Sequence, residues 1–394
     1  MVTREGLSDR VVSARRYGRA LAVAAEEAVR AGRDRWAPAG GPIPLDARSL
    51  TPADLAALTG TDPARVRDVD VLASHRGSAD RACVGVQTAP GTDLAPTLFL
   101  KLTPSTLGVR LWSSLGRLAE KEVHFYLDAA PSVPGLVPRC YGAAFDPRSG
   151  RSIIALEDLA ARGATFPTVA TGCTADQAHA VALALGTVHR AFWRSPRFDG
   201  DLSWFKTRRN PWTVMEGQLV RTLLHHQPGR YNAAIPDDVR RASQVLVERP
   251  GVVRQYLRGL PRTLIHNDSH PGNMYLDGPA AGILDWQEVS YGPPVHDIGY
   301  FMAIGLAPEV RRAHERDVLG TYLDALGPAD DVPGWDTAWT AYRAVAATAF
   351  TSSVYTASFG HRLQAEDVVV SSIEHTVAAV RDLETFELLA GAPA

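Results

Sequence analysis

The hydrophobic pattern of this chain carries β-type runs only ahead of residue 158 and turns helical after it, and that division limits the possible folds more than any other feature. Ahead of it the apolar residues come in short runs of the β type, at Val69–Ala73, Ala82–Gln87 and Thr97–Leu102, and again at Arg139–Phe145 and Ser152–Leu156. A helical stretch, Ser113 to Ala129, separates the third run from the fourth. Upstream, residues 6–31 have helical spacing, and a Pro/Gly-rich stretch from Ala37 to Pro44 ends that helix. A second short helix then opens with Thr51 as N-cap, Pro52 at the first position and Asp54 as the capping acid. Past Asp158 the spacing is helical: Thr174–Trp193, Asp237–Arg258 with an interruption at Pro250, Asp297–Ile304, Glu309–Leu326, Trp335–Ser358 and Asp367–Leu388. The expected class is α+β with two lobes. Residues 1–158 carry a helical extension and then a small antiparallel sheet of five strands with one helix; residues 159–394 form a mostly helical lobe.

A chain of 394 residues with 45% hydrophobic content can bury cores for both lobes. With 41 basic against 43 acidic residues it has none of the positive excess that a phosphate backbone selects, so no nucleic-acid partner is expected. Cys83, Cys140 and Cys173 are far apart, which argues against a disulfide framework and a cysteine-rich zinc site. The first residues mix Arg and Glu with apolar residues, unlike a signal peptide, and no stretch reaches membrane-spanning length. A cytoplasmic protein with no membrane partner is the expectation.

Chemistry concentrates in a short segment punctuated by Gly and Pro between the helices. Leu264-Ile-His-Asn-Asp-Ser-His-Pro-Gly-Asn-Met-Tyr-Leu276 delivers His266, Asp268 and Asn273 from an apolar run into a Pro-Gly turn; Gly282-Ile-Leu-Asp-Trp-Gln287 then delivers Asp285 from a second run. Two carboxylates and an amide brought together in this way suit phosphoryl transfer. One carboxylate accepts a hydroxyl proton, and the other, with an amide oxygen, holds magnesium against phosphates. In Thr97-Leu-Phe-Leu-Lys-Leu102 a charged group on an apolar strand needs a partner or a ligand. Only three of the 41 basic residues are lysine, which makes a lysine kept there more telling. Glu122 and Glu120 on the next helix are the candidate partners, with Glu122 preferred.

These motifs resemble those of the kinase-like phosphotransferases, whose catalytic loop reads His-x-Asp-x-x-x-x-Asn and is followed by a metal-binding Asp. The likeness is greatest to the small-molecule branch that includes aminoglycoside, choline and ecdysteroid kinase-like enzymes. The resemblance implies a two-lobed protein-kinase-like fold, ATP and Mg2+ as cofactors, and a small-molecule hydroxyl as acceptor. Residue by residue, it implies that Asp268 is the catalytic base, that Asn273 and Asp285 bind magnesium, and that His266 braces the loop. Asp297, in His296-Asp297-Ile-Gly-Tyr300, supports the catalytic loop; His189 and Trp193 are scaffold. The Lys101–Glu122 pair grips the α- and β-phosphates. Backbone groups of Glu157 and Leu159 meet adenine, and Gly77 and Ser78 belong to the phosphate-covering turn.

Three other readings compete. A metal-dependent hydrolase could use His266, Asp268, His270, His296 and Asp297 as ligands, but it leaves Lys101 and Glu122 unexplained. A kinase-like binding module without activity would have no reason to keep Asp268, Asn273, Asp285 and Lys101 together. A phosphotransferase acting on peptide Ser or Thr would want an activation segment, and Asp285 runs quickly into Tyr291-Gly-Pro-Pro294. For the acceptor wall, Trp204, Trp212, Tyr231, Trp335, Tyr342 and Tyr355 offer aromatic surface without concentrated acid, which favours a larger, less charged alcohol over a polycationic aminoglycoside.

Overall fold

The structure, a computed structural model, describes residues 4–36, 43–77, 79–206, 231, 234–328, 332–359 and 364–392. It divides into two compact units. The first comprises residues up to Arg162 together with Trp286–Glu288, and the second runs from Gly163 through the rest of the described chain.

The first unit is built on a five-stranded antiparallel sheet, in the order β1-β2-β3-β5-β4, from β1 (Val66–His75), β2 (Asp80–Thr88), β3 (Thr97–Leu102), β4 (Cys140–Asp146) and β5 (Arg151–Glu157). Period-two alternation gives β2 one inner face, Ala82, Val84 and Val86, which packs with Leu98, Leu100, Ile153 and Ala155. Each fully buried side chain of this size contributes about 1.5–3 kcal/mol. Helix α2 (Pro52–Thr59) closes that core with Leu55 and Ala56. Its expected capping box is present: the Thr51 hydroxyl accepts the Asp54 N–H at 3.2 Å, and the Asp54 carboxylate accepts the Thr51 N–H at 2.9 Å. Strand β4 approaches α2 so closely that a Cβ at Gly142 would lie 2.1 Å from the Leu58 carbonyl oxygen.

The helix expected over Ser113–Ala129 is different in form. Helix α3 (Leu107–Gly116) starts earlier, because its buried face carries Arg110, Ser113 and Gly116 and so hides from an apolar count. Arg117 then takes a left-handed conformation (φ 54°), held by two hydrogen bonds to Glu120 at 2.7 and 2.6 Å. Helix α4 (Leu118–His124) follows and ends in a wide turn over Phe125–Ala129. The Trp286–Glu288 turn packs on α4, with the Trp286 ring stacked on Phe125 at 3.9 Å and Lys121 3.7 Å from Glu288.

Arg110 has a second role. Helix α1 (Arg4–Trp36) packs along α3 through buried charges. The Arg110 guanidinium donates to Glu27 at 2.7 Å and to Asp34 at 2.5 Å, Arg151 donates to Asp34 at 2.6 Å, and the Ser114 hydroxyl donates to Glu27 at 2.8 Å. Glu27 and Arg151 are each 1% exposed. Two carboxylates and two guanidiniums balance, as buried charges must.

The second unit is helical around two small two-stranded antiparallel sheets. Helix α5 (Ala175–Ala191) starts in another capping box, between Thr174 and Gln177. The Asp237–Arg258 stretch breaks not only near Pro250 but also at Ser243, giving three short helices. Strand β6 (Thr263–Ile265) pairs with β9 (Ser290–Gly292), and β7 (Met274–Asp277) pairs with β8 (Ala280–Ile283). Helix α6 (Val295–Gly305) is buried along its whole length; α7 (Pro308–Leu326) lies against α5, and α8 (Trp335–Phe359) and α9 (Glu366–Asp382) pack on α6. The expected Asp367–Leu388 helix ends at Asp382, because Glu384 turns left-handed (φ 48°) and starts a separate turn of helix, Thr385–Ala390. Among the described residues no helix is long and apolar enough to cross a membrane.

Candidate active site

Strand β6 ends at Ile265, and the chain then makes a tight loop fixed from below by one carboxylate. Asp297, on the first turn of α6, accepts the His266 N–H at 2.6 Å on one oxygen and the Asn267 N–H at 2.8 Å on the other, while its carbonyl accepts the Ser269 hydroxyl at 2.7 Å. The two backbone bonds hold Asn267 in the left-handed region at φ 71°. His189 braces Asp297 in turn: Nε2–H donates to the carboxylate at 3.1 Å, and Nδ1 lies 2.8 Å from the Tyr322 hydroxyl. Burial alone would raise the pKa of Asp297, but hydrogen bonds from His189 and His296 outweigh it and hold the carboxyl well below the usual range.

His266 sits between two parts of the site. Its Nδ1 accepts the Asp268 N–H at 3.2 Å and its Nε2 donates to the Leu284 carbonyl at 2.7 Å, which ties the loop to the residue just before Asp285. Both bonds agree with one neutral tautomer, so the imidazole braces the loop.

Asp268 stands at the loop's centre with its side chain 28% exposed. One carboxylate oxygen accepts the Tyr300 hydroxyl at 3.3 Å, and the other accepts the Asn273 amide at 3.2 Å, which also donates to the Asp268 carbonyl at 2.8 Å. Burial pushes the pKa of Asp268 up to about 7, and the Asp285 charge adds to this; the bonds from Tyr300 and Asn273 work against it. Burial likewise lowers His270 to about 4, so that imidazole is neutral near pH 7.

The β7–β8 hairpin brings Asp285 back towards the loop, with the Leu284 N–H donating to the Asn273 carbonyl at 2.8 Å. Asp285 itself is left-handed, at φ 56°, a conformation costly for a residue with a Cβ and common at functional sites. Oxygen donors from Asn273 and Asp285, and a neighbouring carboxylate whose pKa the Asp285 charge already raises, suit a hard divalent cation such as magnesium. The nitrogen-rich zinc set of the hydrolase reading does not assemble. His266 is spent on Leu284, and among the described residues no three His, Cys, Asp or Glu side chains gather to hold a metal.

In the first unit Lys101 meets Glu122 at 2.6 Å, both side chains being buried, while Glu120 pairs with Arg117 instead. A small cavity beside the pair is walled by Ser113, Ser152, Ile154 and Ala79, the last from the β1–β2 turn. Gly77 lies in that same turn with room for a Cβ, and Ser78 falls outside the described residues. The Glu157 N–H donates to the Arg139 carbonyl at 2.8 Å, which leaves only the Glu157 carbonyl for a ligand, whereas the Leu159 N–H makes no backbone bond among the described residues.

The proposed acceptor wall needs correction. Tyr342 is fully buried and donates to Glu315 at 2.7 Å, so it is core; Tyr231 is buried as well, and Trp212 lies outside the described residues. Trp335 stacks on Trp339 and Tyr355 is half-buried on α8. Sequence reasoning placed Tyr300 in a motif but gave it no task; its contact with Asp268 crosses 32 positions of sequence and has no local signal.

Known structures share this architecture at low identity. Spectinomycin phosphotransferase APH(9)-Ia, solved with ADP and spectinomycin, aligns with a TM-score of 0.52 at 13% identity, covering 87% of this chain and 99% of its own. Choline kinase from Cryptosporidium parvum Iowa II aligns with a TM-score of 0.50 at 12% identity, covering 83% and 92%. The fold is kinase-like. No curated protein matches the chain. The model of the phosphotransferase enzyme family (APH) matches residues 92–345, more than half the chain and the whole of the segment that carries Lys101, Asp268 and Asp285. This protein belongs to the phosphotransferase enzyme family.

Proposed function

We propose that this protein transfers the γ-phosphoryl group of ATP to a hydroxyl group of a small molecule, with Asp268 as the base. The observation that carries this is the loop itself. One carboxylate, Asp297, fixes the backbone on both sides of His266, and the loop so fixed presents Asp268 with Asn273 on one of its oxygens. Asp268 takes the proton of the acceptor hydroxyl as the new O–P bond forms and the bond to the β-phosphate oxygen breaks, releasing ADP. Asn273 and Asp285 would hold magnesium, which when bound neutralises phosphate charge. Lys101, oriented by Glu122, would contact the α- and β-phosphates, and the Glu157 carbonyl and Leu159 N–H would receive adenine. Positioning and charge neutralisation supply most of the rate.

A small acceptor fits better than a peptide. Between Asp285 and the start of α6 at Val295 the chain makes only a short turn and the three-residue strand β9, which leaves no room for a long regulatory segment. The test is ADP release from magnesium-ATP with a panel of acceptors: spectinomycin and other aminoglycosides, choline, nucleosides, sterols and a Ser/Thr peptide. Acceptor-dependent release lost by at least about a thousandfold in Asp268→Asn, with nucleotide binding kept, is the expected result. Turnover retained in the variant would refute Asp268 as the base.

A further inference from the structure

The two oxygens of Asp268 are held from different places. Asn273 belongs to the same loop, but Tyr300 belongs to α6, a helix buried on every side, and its hydroxyl lies 3.3 Å from one oxygen of Asp268 and 2.8 Å from the hydroxyl of Ser352 on α8. A phenol carries one proton. With that proton given to Asp268, the Tyr300 oxygen accepts, and Ser352 is the donor. The chain of bonds therefore has a direction, from Ser352 through Tyr300 to the base. The Tyr300 ring is 3% exposed and lies parallel to His296 at 6.0 Å, so the hydroxyl has little freedom.

A carboxylate turns easily about its last torsion. A single bond from Asn273, on the loop that carries Asp268, leaves that rotation soft, whereas a second bond from a rigid helix fixes the plane. We propose that Tyr300, oriented by Ser352, is a positioning residue that sets the plane of the Asp268 carboxylate and so aims its open lone pair at the acceptor hydroxyl. The role is one of geometry: α6 brings a neutral hydroxyl to the base and α8 orients that hydroxyl, and a misplacement of the order of an ångström costs about a hundredfold in rate. The inference rests on Asp268 being the base.

The experiment measures ADP release from magnesium-ATP with water as the phosphoryl acceptor, in wild type, Asp268→Asn, Tyr300→Phe, Ser352→Ala, Ser352→Thr and the Tyr300→Phe/Ser352→Ala double variant. Tyr300→Phe is expected to lower kcat by about ten- to a hundredfold with the nucleotide KM unchanged within about twofold. Ser352→Ala is expected to lower kcat by about threefold and Ser352→Thr to restore it. Because Ser352 acts through Tyr300, the double variant should match Tyr300→Phe alone. A kcat for Tyr300→Phe within about twofold of wild type, or additive losses in the double variant, would overturn the proposal. Loss in Asp268→Asn beside full activity in Tyr300→Phe would sink the positioning role alone; full activity in Asp268→Asn would sink the base assignment beneath it. A crystal structure of Tyr300→Phe gives a readout free of turnover: a rotated Asp268 carboxylate supports the relay, and an unmoved one overturns it.

Discussion

The substitution Asp297→Asn tests how the loop that presents Asp268 is held. The native carboxylate accepts the His266 N–H and the His189 Nε2–H on one oxygen, and the Asn267 N–H on the other with His296 at 3.4 Å. An amide has one accepting oxygen, so whichever way the substituted side chain faces, its NH2 group meets donors it cannot satisfy, and at least two bonds fail. Hydrogen bonds to a charged group contribute about 1.5–3 kcal/mol each, so two lost bonds cost about 3–6 kcal/mol. A chain of two compact units has no single well-defined unfolding free energy, and the local opening of the loop is the better quantity. Amide hydrogen exchange of the 264–270 segment, read by mass spectrometry, should lose protection at His266 and Asn267 by about a hundredfold or more. Protection within about threefold of wild type would refute the role given to Asp297.

Two further outcomes follow from buried titratable side chains. Glu122→Gln removes the counter-charge 2.6 Å from Lys101, and the KM for magnesium-ATP should rise by about tenfold or more; unchanged nucleotide affinity in calorimetry would count against the phosphate-gripping role. His375 is 8% exposed and its Nδ1 donates to the Ile304 carbonyl at 2.9 Å; burial lowers its pKa below the ordinary value. The unfolded chain takes up a proton near pH 6.5 that the folded imidazole refuses, so the stability present above that pH is lost as pH falls below it. His375→Gln should flatten the decline in Tm between about pH 7 and 5, and an identical decline in the variant would exclude His375 as its source.

The features that could be read from the sequence were those encoded within a few residues. Thr51, Pro52 and Asp54 declare a helix start because the capping box closes over three positions. His266, Asp268 and Asn273 declare a loop because polar residues interrupt an apolar run at a Pro-Gly turn. Helix α3 did not show its true start, since Arg110 and Ser113 on its buried face count as surface in any apolar pattern. The break at Arg117 depends on a left-handed residue that is not glycine. Tyr342 looked like ligand surface because an aromatic residue on a helix gives no sign of a buried carboxylate partner 27 positions away. Asp297 could be expected beneath the loop, but not its two backbone bonds, which depend on where α6 is placed relative to β6.

The arginines at 110 and 151 lie inside the stretch matched to the family, yet their counter-charges, Glu27 and Asp34, lie on α1, outside it. Neither guanidinium can shed its proton, and neither can reach water from where it sits. The helix and the two arginines therefore depend on one another: without α1 the first unit would hold two guanidiniums away from water with no counter-charge, so the folding of the matched stretch relies on a helix that lies ahead of it.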